Sequence, residues 1–386
     1  MSDPAPEKKT NRGLLRVLSL PIVKIGVIAL FIVLVIAAIA VPLSGNKKTA
    51  SAPNGKYIYP ISTQNLLDMR AYDDGIAVLG TNSLFYMDDG GNEIDVLSHN
   101  YSSPMLRAAG KYTLLFDHAG KALRVDRSAK TRIELNFDAP ILAADICKNG
   151  VYAYVLNADE KNFLSHLFIF SEKGDKLYEW GSSASYVTGI FLNEKGTKAI
   201  AICFGVDSAS YFSRVYCFDF DLEDPIIDVS LRNETIYGAQ FLSSGRIAVF
   251  SDRAVYSVES DDDTVAVKEY SAGEISHAAH DANELSAVSV NKYGNEQKCE
   301  VTVFSHNLKK AFDFSFEHKV TGICAGGKRI AVIMGQKAAV LNYKKIVGTV
   351  RLDESCMKYL IKNNRLYTLT PGGVCCDGIS ANTTLD

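Results

Sequence analysis

The chain has 386 residues, 47% of them apolar and 22% charged, which is the balance of a folded protein and excludes a disordered one. The formal net charge of -3 hides an asymmetry. Residues 1–56 carry eight Lys/Arg against Asp3 and Glu7, which leaves 33 basic and 42 acidic residues, a balance of -9, for 57–386. An acidic body argues against nucleic acid as a partner, because neutralising a phosphate backbone takes clustered Lys and Arg.

Residues 1–24 read as a basic cytoplasmic tail containing Lys8, Lys9, Arg12, Arg16 and Lys24. From Ile25 to Leu43 there are 19 uncharged residues. At about 1.5 Å per helical residue they reach roughly 28 Å, enough to cross a hydrocarbon core. The sequence therefore predicts one transmembrane helix over 25–43. Only Lys47, Lys48 and Lys56 follow it closely, so the positive-inside bias puts the N-terminus in the cytoplasm and the rest outside the cell membrane. A linker rich in Ser, Gly, Lys and Pro fills 44–56. The competing reading is a cleaved signal peptide, for which Ala38 and Ala40 provide small-x-small spacing. The charge-free run exceeds a signal core of roughly 7–15 residues and lacks a polar cleavage region, which favours an uncleaved anchor. Either reading exports the body.

From Tyr57 onward the chain repeats. Tight-turn pairs at Asp74-Gly75, Gly110-Lys111, Asn149-Gly150, Lys195-Gly196, Ser244-Gly245, Asn283-Glu284, Gly326-Gly327 and Asn363-Asn364 each precede an apolar run. Most contain the Gly or Asn that tolerates positive φ. The runs start 36 to 48 residues apart, a mean of about 41, which is the period of a four-stranded propeller blade. The next strand ends in an apolar residue followed by a small polar or acidic one, as in Met87-Asp88, Val125-Asp126, Phe170-Ser171 and Phe218-Asp219. Fourth strands follow at 93–97, 132–137, 176–180 and 265–270. The strand before each turn is built on small residues, such as Ala108-Ala109, Ala143-Ala144 and Gly238-Ala239, which suits an innermost strand where sheets converge.

The predicted fold is all-β: a β-propeller over 57–386, of four-stranded antiparallel blades, preceded by the single N-terminal transmembrane helix. Eight blades are expected, with Tyr57–Ile61 closing the ring as the outer strand of the last. Seven is the alternative, with the unit holding the Gly205–Ser213 insertion as the irregular one.

The anchor, together with repeats of the type Lys328-Arg329-Ile330-Ala331-Val332 and Phe168-Ile169-Phe170-Ser171-Glu172-Lys173-Gly174, resembles an uncharacterised family of single-pass, membrane-anchored, β-propeller-like proteins of Gram-positive, clostridial-type bacteria. The resemblance covers nearly the whole chain, lies in layout and repeat style, and implies no activity. More distantly the blades look like quinoprotein-type and WD-type propellers. The chain departs from both: it has no Gly-His pair, and its single Trp180 is followed by Gly181.

Candidate chemistry is sparse. Adjacent Cys375-Cys376 resembles the vicinal disulfide of some quinone-dependent dehydrogenases, but neighbours on a strand point to opposite faces, so both read as packing residues. The remaining cysteines stand singly with no metal spacing and read as core thiols; Cys203 and Cys217, which flank one long hairpin, are the one pair to test for a bond. His277 and His280, three apart on a strand, face opposite sides and do not converge on a metal. The acidic stretches 88–92 and 261–263 fall where the repeat needs turns and lack the spacing of a calcium loop. No nucleophile elbow, phosphate loop or dinucleotide fingerprint occurs, so no catalytic residue, metal or cofactor is assigned.

Arg70, Arg107, Asp145, Gln240 and His277 lie near the small-residue strands and are the candidate channel-mouth residues. The expected function is a non-catalytic binding or scaffolding module at the cell envelope, with another envelope protein or a wall polymer as partner. The alternative is a propeller enzyme or sensor that binds a glycan or small cofactor in the central channel.

Overall fold

The computed structural model describes residues 57–379, except 159–162, 208–209, 261–262, 272–274, 281–284, 292–297, 310 and 354. The expected tail, membrane helix and linker (1–56), the Asn283-Glu284 turn and Asp261-Asp262 lie outside the described residues. Among those described, no helix is long and apolar enough to cross a membrane.

The strands form eight four-stranded antiparallel sheets in chain order. Blades 1 to 7 span 66–98, 104–136, 141–182, 186–232, 236–269, 275–316 and 322–351. Blade 8 takes its three inner strands from 358–378 and its outer strand from Tyr57–Pro60. Eight blades therefore stand. Blade 4, the suspected irregular unit, has the ordinary four strands, and its insertion is absorbed as a longer central hairpin, Lys198–Asp207 with Ser210–Asp219.

The second strand of each blade is buried along most of its length because radial sheets are covered on both faces. In Gly75–Gly80, for example, every residue is buried. Alternate side chains go to opposite neighbours: Ile76 and Val78 pack toward blade 8, Ala77 and Leu79 toward blade 2. The core is accordingly divided into eight hydrophobic clusters among the described residues, one at each blade–blade interface. The outer strands, such as Lys130–Asn136, are mostly exposed and supply the polar rim.

The turns behave as their chemistry requires. Gly110, Gly150, Gly196, Gly245 and Gly327 all have positive φ, as do Asn363 and Asn364. At Gly110 (φ 56) a Cβ would also lie 2.8 Å from Lys148 O in the neighbouring blade's turn, so both conformation and space demand glycine.

One interface is polar at its centre. Between blades 1 and 2, Asp126 is 0% exposed and accepts hydrogen bonds from Tyr86 Oη (2.8 Å), Thr131 Oγ1 (2.9 Å) and Arg124 Nε (3.1 Å). Arg124, itself buried, also donates from Nη1 to Ser98 O at 2.9 Å, and Tyr86 Oη lies 2.6 Å from Thr113 Oγ1. The network ties the third strands of two blades together through a charge pair closed off from water.

The ring is closed by residues far apart in sequence. Tyr57–Pro60 pairs with Gly373–Gly378 in the register Tyr57↔Cys375, Tyr59↔Val374 and Pro60↔Gly373. Gly373 (φ 136) approaches so closely that a Cβ would stand 2.2 Å from Tyr59 O. Beside this seam, Lys362 of blade 8 inserts its ammonium into the first turn of blade 1. It donates to Tyr72 O (2.8 Å) and Gly75 O (2.9 Å) and pairs with Asp89 Oδ1 (2.7 Å). Lys362→Met keeps the aliphatic stem but strips these acceptors of their donor, and is expected to destabilise the propeller by about 1–3 kcal/mol. Chemical denaturation tests this; a midpoint equal to wild type would show that the seam does not depend on the lysine.

Candidate functional site

The inner strands line the central channel, and each ends in the turn that leads to its second strand. Five of them share a β-bulge near their start: the register slips between Leu66 and Asp68, Ile141 and Ala143, Val187 and Gly189, Ile236 and Gly238, and Ile275 and His277. A bulge inserts one residue and changes which face the following side chains take. The channel therefore has two different rims, one made by the inner-strand turns and one where the inner strands begin.

At the turn rim, two of the five candidate residues, Asp145 and Gln240, share one cavity, and Arg70 and Arg107 lie near enough to act on Asp145 by charge. A cavity of about 620 Å³ is lined by Asp145, Leu192, Glu194, Lys195, Gln240 and His280 among others. Asp145 Oδ2 accepts a hydrogen bond from Leu192 N at 2.8 Å, across the blade 3–blade 4 interface. Burial pushes its carboxyl up to about 6, with Arg107 and Arg70 pulling the other way. Burial likewise lowers the Arg107 guanidinium, with Asp145 opposing that change and Arg70 adding to it. Arg107 and Asp145 form no direct ion pair among the described residues. The one side-chain hydrogen bond of Arg107 there is Nη1 to Leu106 O at 3.3 Å. Arg70 is held by Asp68 at 3.0 Å and leaves its side chain half open to the channel.

Gln240 is buried at the wall of the cavity. Its Nε2 donates to Ser286 Oγ at 2.8 Å, while its Oε1 has no donor among the described residues. His280 stacks on Phe250, with centroids 5.7 Å apart and planes at 12°. Burial, reinforced by the charge of Arg70, pulls its imidazole down to about 4, so it is neutral near pH 7. His280 counts as exposed by surface area although protein atoms crowd it, as befits a side chain at the wall of a narrow channel. The exposed surface is the part that faces the channel.

His277 is placed elsewhere. Its Nδ1 lies 3.2 Å from Ser289 Oγ, and Lys319 is the charge it senses. His280 takes the place at the rim that the sequence reading gave to His277. The signal that could have found it is its place directly before the turn, as the last residue of the inner strand Ile275–His280.

The opposite rim is uneven and carries exposed apolar side chains on blades 1, 4 and 5. In blade 4 the inner strand pairs no further than Tyr186↔Phe204, and the outer strand no further than Phe212↔Arg232. The hairpin tip thus projects about three residues, roughly 10 Å, past both flanking strands. Phe204 stacks on Tyr211 at its base, and Arg232 braces Asp207 at 2.7 Å. Val206 on the tip is 73% exposed, and Tyr186, Tyr237 and Leu67, at the starts of their inner strands, are 49%, 45% and 38% exposed.

The other singled-out residues have structural roles. Asp88 Oδ1 caps its own turn, accepting from Gly90 N and Asn92 N at 2.8 Å each. All eight cysteines are free. Cys203 lies opposite Arg214 and Cys217 opposite Ile200, three ladder steps apart, and they pack into different interfaces, so the proposed bond is not made. Cys375 and Cys376 face different neighbours, Thr368 and Cys356 for one and Tyr367 and Arg365 for the other. No cluster of three His, Cys, Asp or Glu able to hold a metal occurs among the described residues.

The described residues thus form an eight-bladed, all-β propeller, with charged residues at its turn rim and exposed apolar side chains on blades 1, 4 and 5 at the other. The chain belongs to the family of unknown function DUF5711, whose profile matches residues 54–374. No curated protein matches the sequence. Solved structures similar in fold include BamB from Moraxella catarrhalis, with a TM-score of 0.54, 14% identity and coverage of 84% of this chain and 97% of that one. The C-terminal WD40 domain of Sif2 gives a TM-score of 0.58 at 12% identity, covering 84% and 98%. At such identities the likeness is one of fold.

Proposed function

We propose that the protein is a membrane-anchored, extracytoplasmic binding module that docks another envelope protein through the apolar rim. The observation that carries this reading is the projecting blade-4 hairpin, with Val206 at its tip and exposed Tyr186 and Tyr237 beside it. Large apolar and aromatic side chains held out on a rigid scaffold are the composition of an interface core. The charge-free run 25–43 behind a basic tail supports anchoring and an exported body. No catalytic constellation competes with this reading among the described residues.

A photo-cross-linking residue placed at position 206 in intact cells is expected to yield a discrete heavier adduct. The same probe at Leu177, on an outer strand of blade 3, is expected to yield none. Adduct at both positions alike, or at neither, would discard the docking reading. Protease added to whole cells is expected to digest the propeller's loops; full protection would reverse the topology.

A further inference from the structure

The charged rim calls for a separate explanation. A buried polar group with a purely structural role is satisfied by its neighbours, and a buried charge is paired. Here both conditions are met only in part: Asp145 accepts from Leu192 N and Gln240 donates to Ser286, but each lacks a full set of partners among the described residues. Gln240 Oε1 lacks a donor, Arg107 has only a long bond to a backbone carbonyl, and Asp145 sits near Arg107 without touching it. These groups come from the inner strands of blades 2, 3 and 5, joined by Arg70 from blade 1 and His280 from blade 6, so no single turn or hairpin accounts for them. Asp145, Gln240 and His280 line a cavity of about 620 Å³ together with Glu194, Lys195 and Lys198, and Arg70 and Arg107 stand beside it, near enough for their charges to act on Asp145; its volume is within the range of small-molecule sites.

The complement is set by the donor and acceptor inventory. Two guanidiniums offer forked donors suited to a carboxylate or phosphate. An ionised carboxyl and an amide carbonyl need hydrogen-bond donors, which an anion alone does not supply but hydroxyl groups do. A neutral imidazole serves as donor at one nitrogen and acceptor at the other. Phe191, Leu192, Phe241 and Leu242 line the same cavity and provide apolar contact for a ring face. We propose that the turn rim binds a small hydroxylated anion of the acidic-sugar class, its carboxylate or phosphate held by Arg107 and Arg70 and its hydroxyls donating to Gln240 and Asp145. The site lies at the opposite rim from the proposed docking surface, and either can fail without the other.

The test is calorimetric titration of the full chain in detergent with glucuronate, glucose 1-phosphate, glucose, inorganic phosphate and glutamate. One of the two acidic sugars is expected to bind at least tenfold more tightly than glucose and inorganic phosphate. Which one binds decides between carboxylate and phosphate as the anionic group. Arg70→Ala, at a half-exposed side chain, is expected to weaken that binding at least tenfold while leaving the unfolding temperature unchanged. Gln240→Leu is expected to weaken it as well, since the carbonyl that accepts from a hydroxyl is gone. Binding of glucose or phosphate alone with equal affinity, preference for the zwitterionic glutamate, no heat with any probe, or indifference to Arg70→Ala would each overturn the proposal.

Discussion

Replacing Asp126 with alanine is expected to lower the unfolding free energy of the propeller by about 3–5 kcal/mol, the effect of removing one member of a buried ion pair. The loss arises because Arg124, 4% exposed, keeps its charge but loses its counter-ion, while Tyr86 and Thr131 lose an acceptor. Nothing at this interface lets water in to compensate. The change is read as a shift of the urea midpoint at constant slope. Replacing the network as a unit, with Tyr86→Phe, Thr113→Val, Arg124→Met, Asp126→Leu and Thr131→Val, is expected to recover most of the stability, because both charges and their hydroxyl partners are then removed together, leaving only Ser98 O without its donor. A single mutant within about 1 kcal/mol of wild type would show that the pair contributes nothing net.

Asp145→Asn is expected to act in the opposite direction. The Asp145 carboxyl binds its proton more tightly in the folded state, at about 6, than the ordinary 3.8. Its contribution to stability is therefore complete at low pH and is lost as pH rises from about 4 to about 6, leaving a penalty at neutral pH. At about 1.4 kcal/mol per pK unit, asparagine is expected to gain about 2–3 kcal/mol relative to aspartate between pH 4 and pH 7. The amide can still accept from Leu192 N. Comparing the aspartate and asparagine forms at each pH isolates the slope that Asp145 contributes. Parallel melting curves at pH 4, 5, 6 and 7 measure it. A difference that does not change with pH would show that the carboxyl is not strained. Retaining a charge that weakens the fold is what a recognition site does and a scaffold position does not.

The architecture was legible in the sequence because it rests on local chemistry that recurs. A Gly or Asn at each inner turn, followed by a run buried on both faces, marks a blade wherever it occurs. The closing strand was legible by elimination, since 57–61 had no partner nearby. Arg70, Arg107, Asp145 and Gln240 could be picked out because each precedes its turn by a similar distance along an inner strand. His280 was not, because it is the last residue of its inner strand, one step nearer the turn than Asp145 and Gln240 are on theirs. Cys203 and Cys217 looked bondable because they flank one hairpin; only the ladder register separates them. The projecting tip at Gly205–Ser213 was visible as extra length, but the length alone does not reveal that the insertion continues both strands.

The seam at Tyr57–Pro60 also governs when this protein can fold. The first strand made is an edge whose partner, Gly373–Gly378, is the last described strand to be synthesised. Blades 1 to 7 can each form as they emerge, yet the ring stays open until nearly the whole chain has been made. A premature stop anywhere before the eighth blade leaves Tyr57–Pro60 unpaired, its backbone donors and acceptors available to another chain. Synthesis of Gly373–Gly378 is thus the step that seals the circle, and products that stop before it are the ones prone to aggregate.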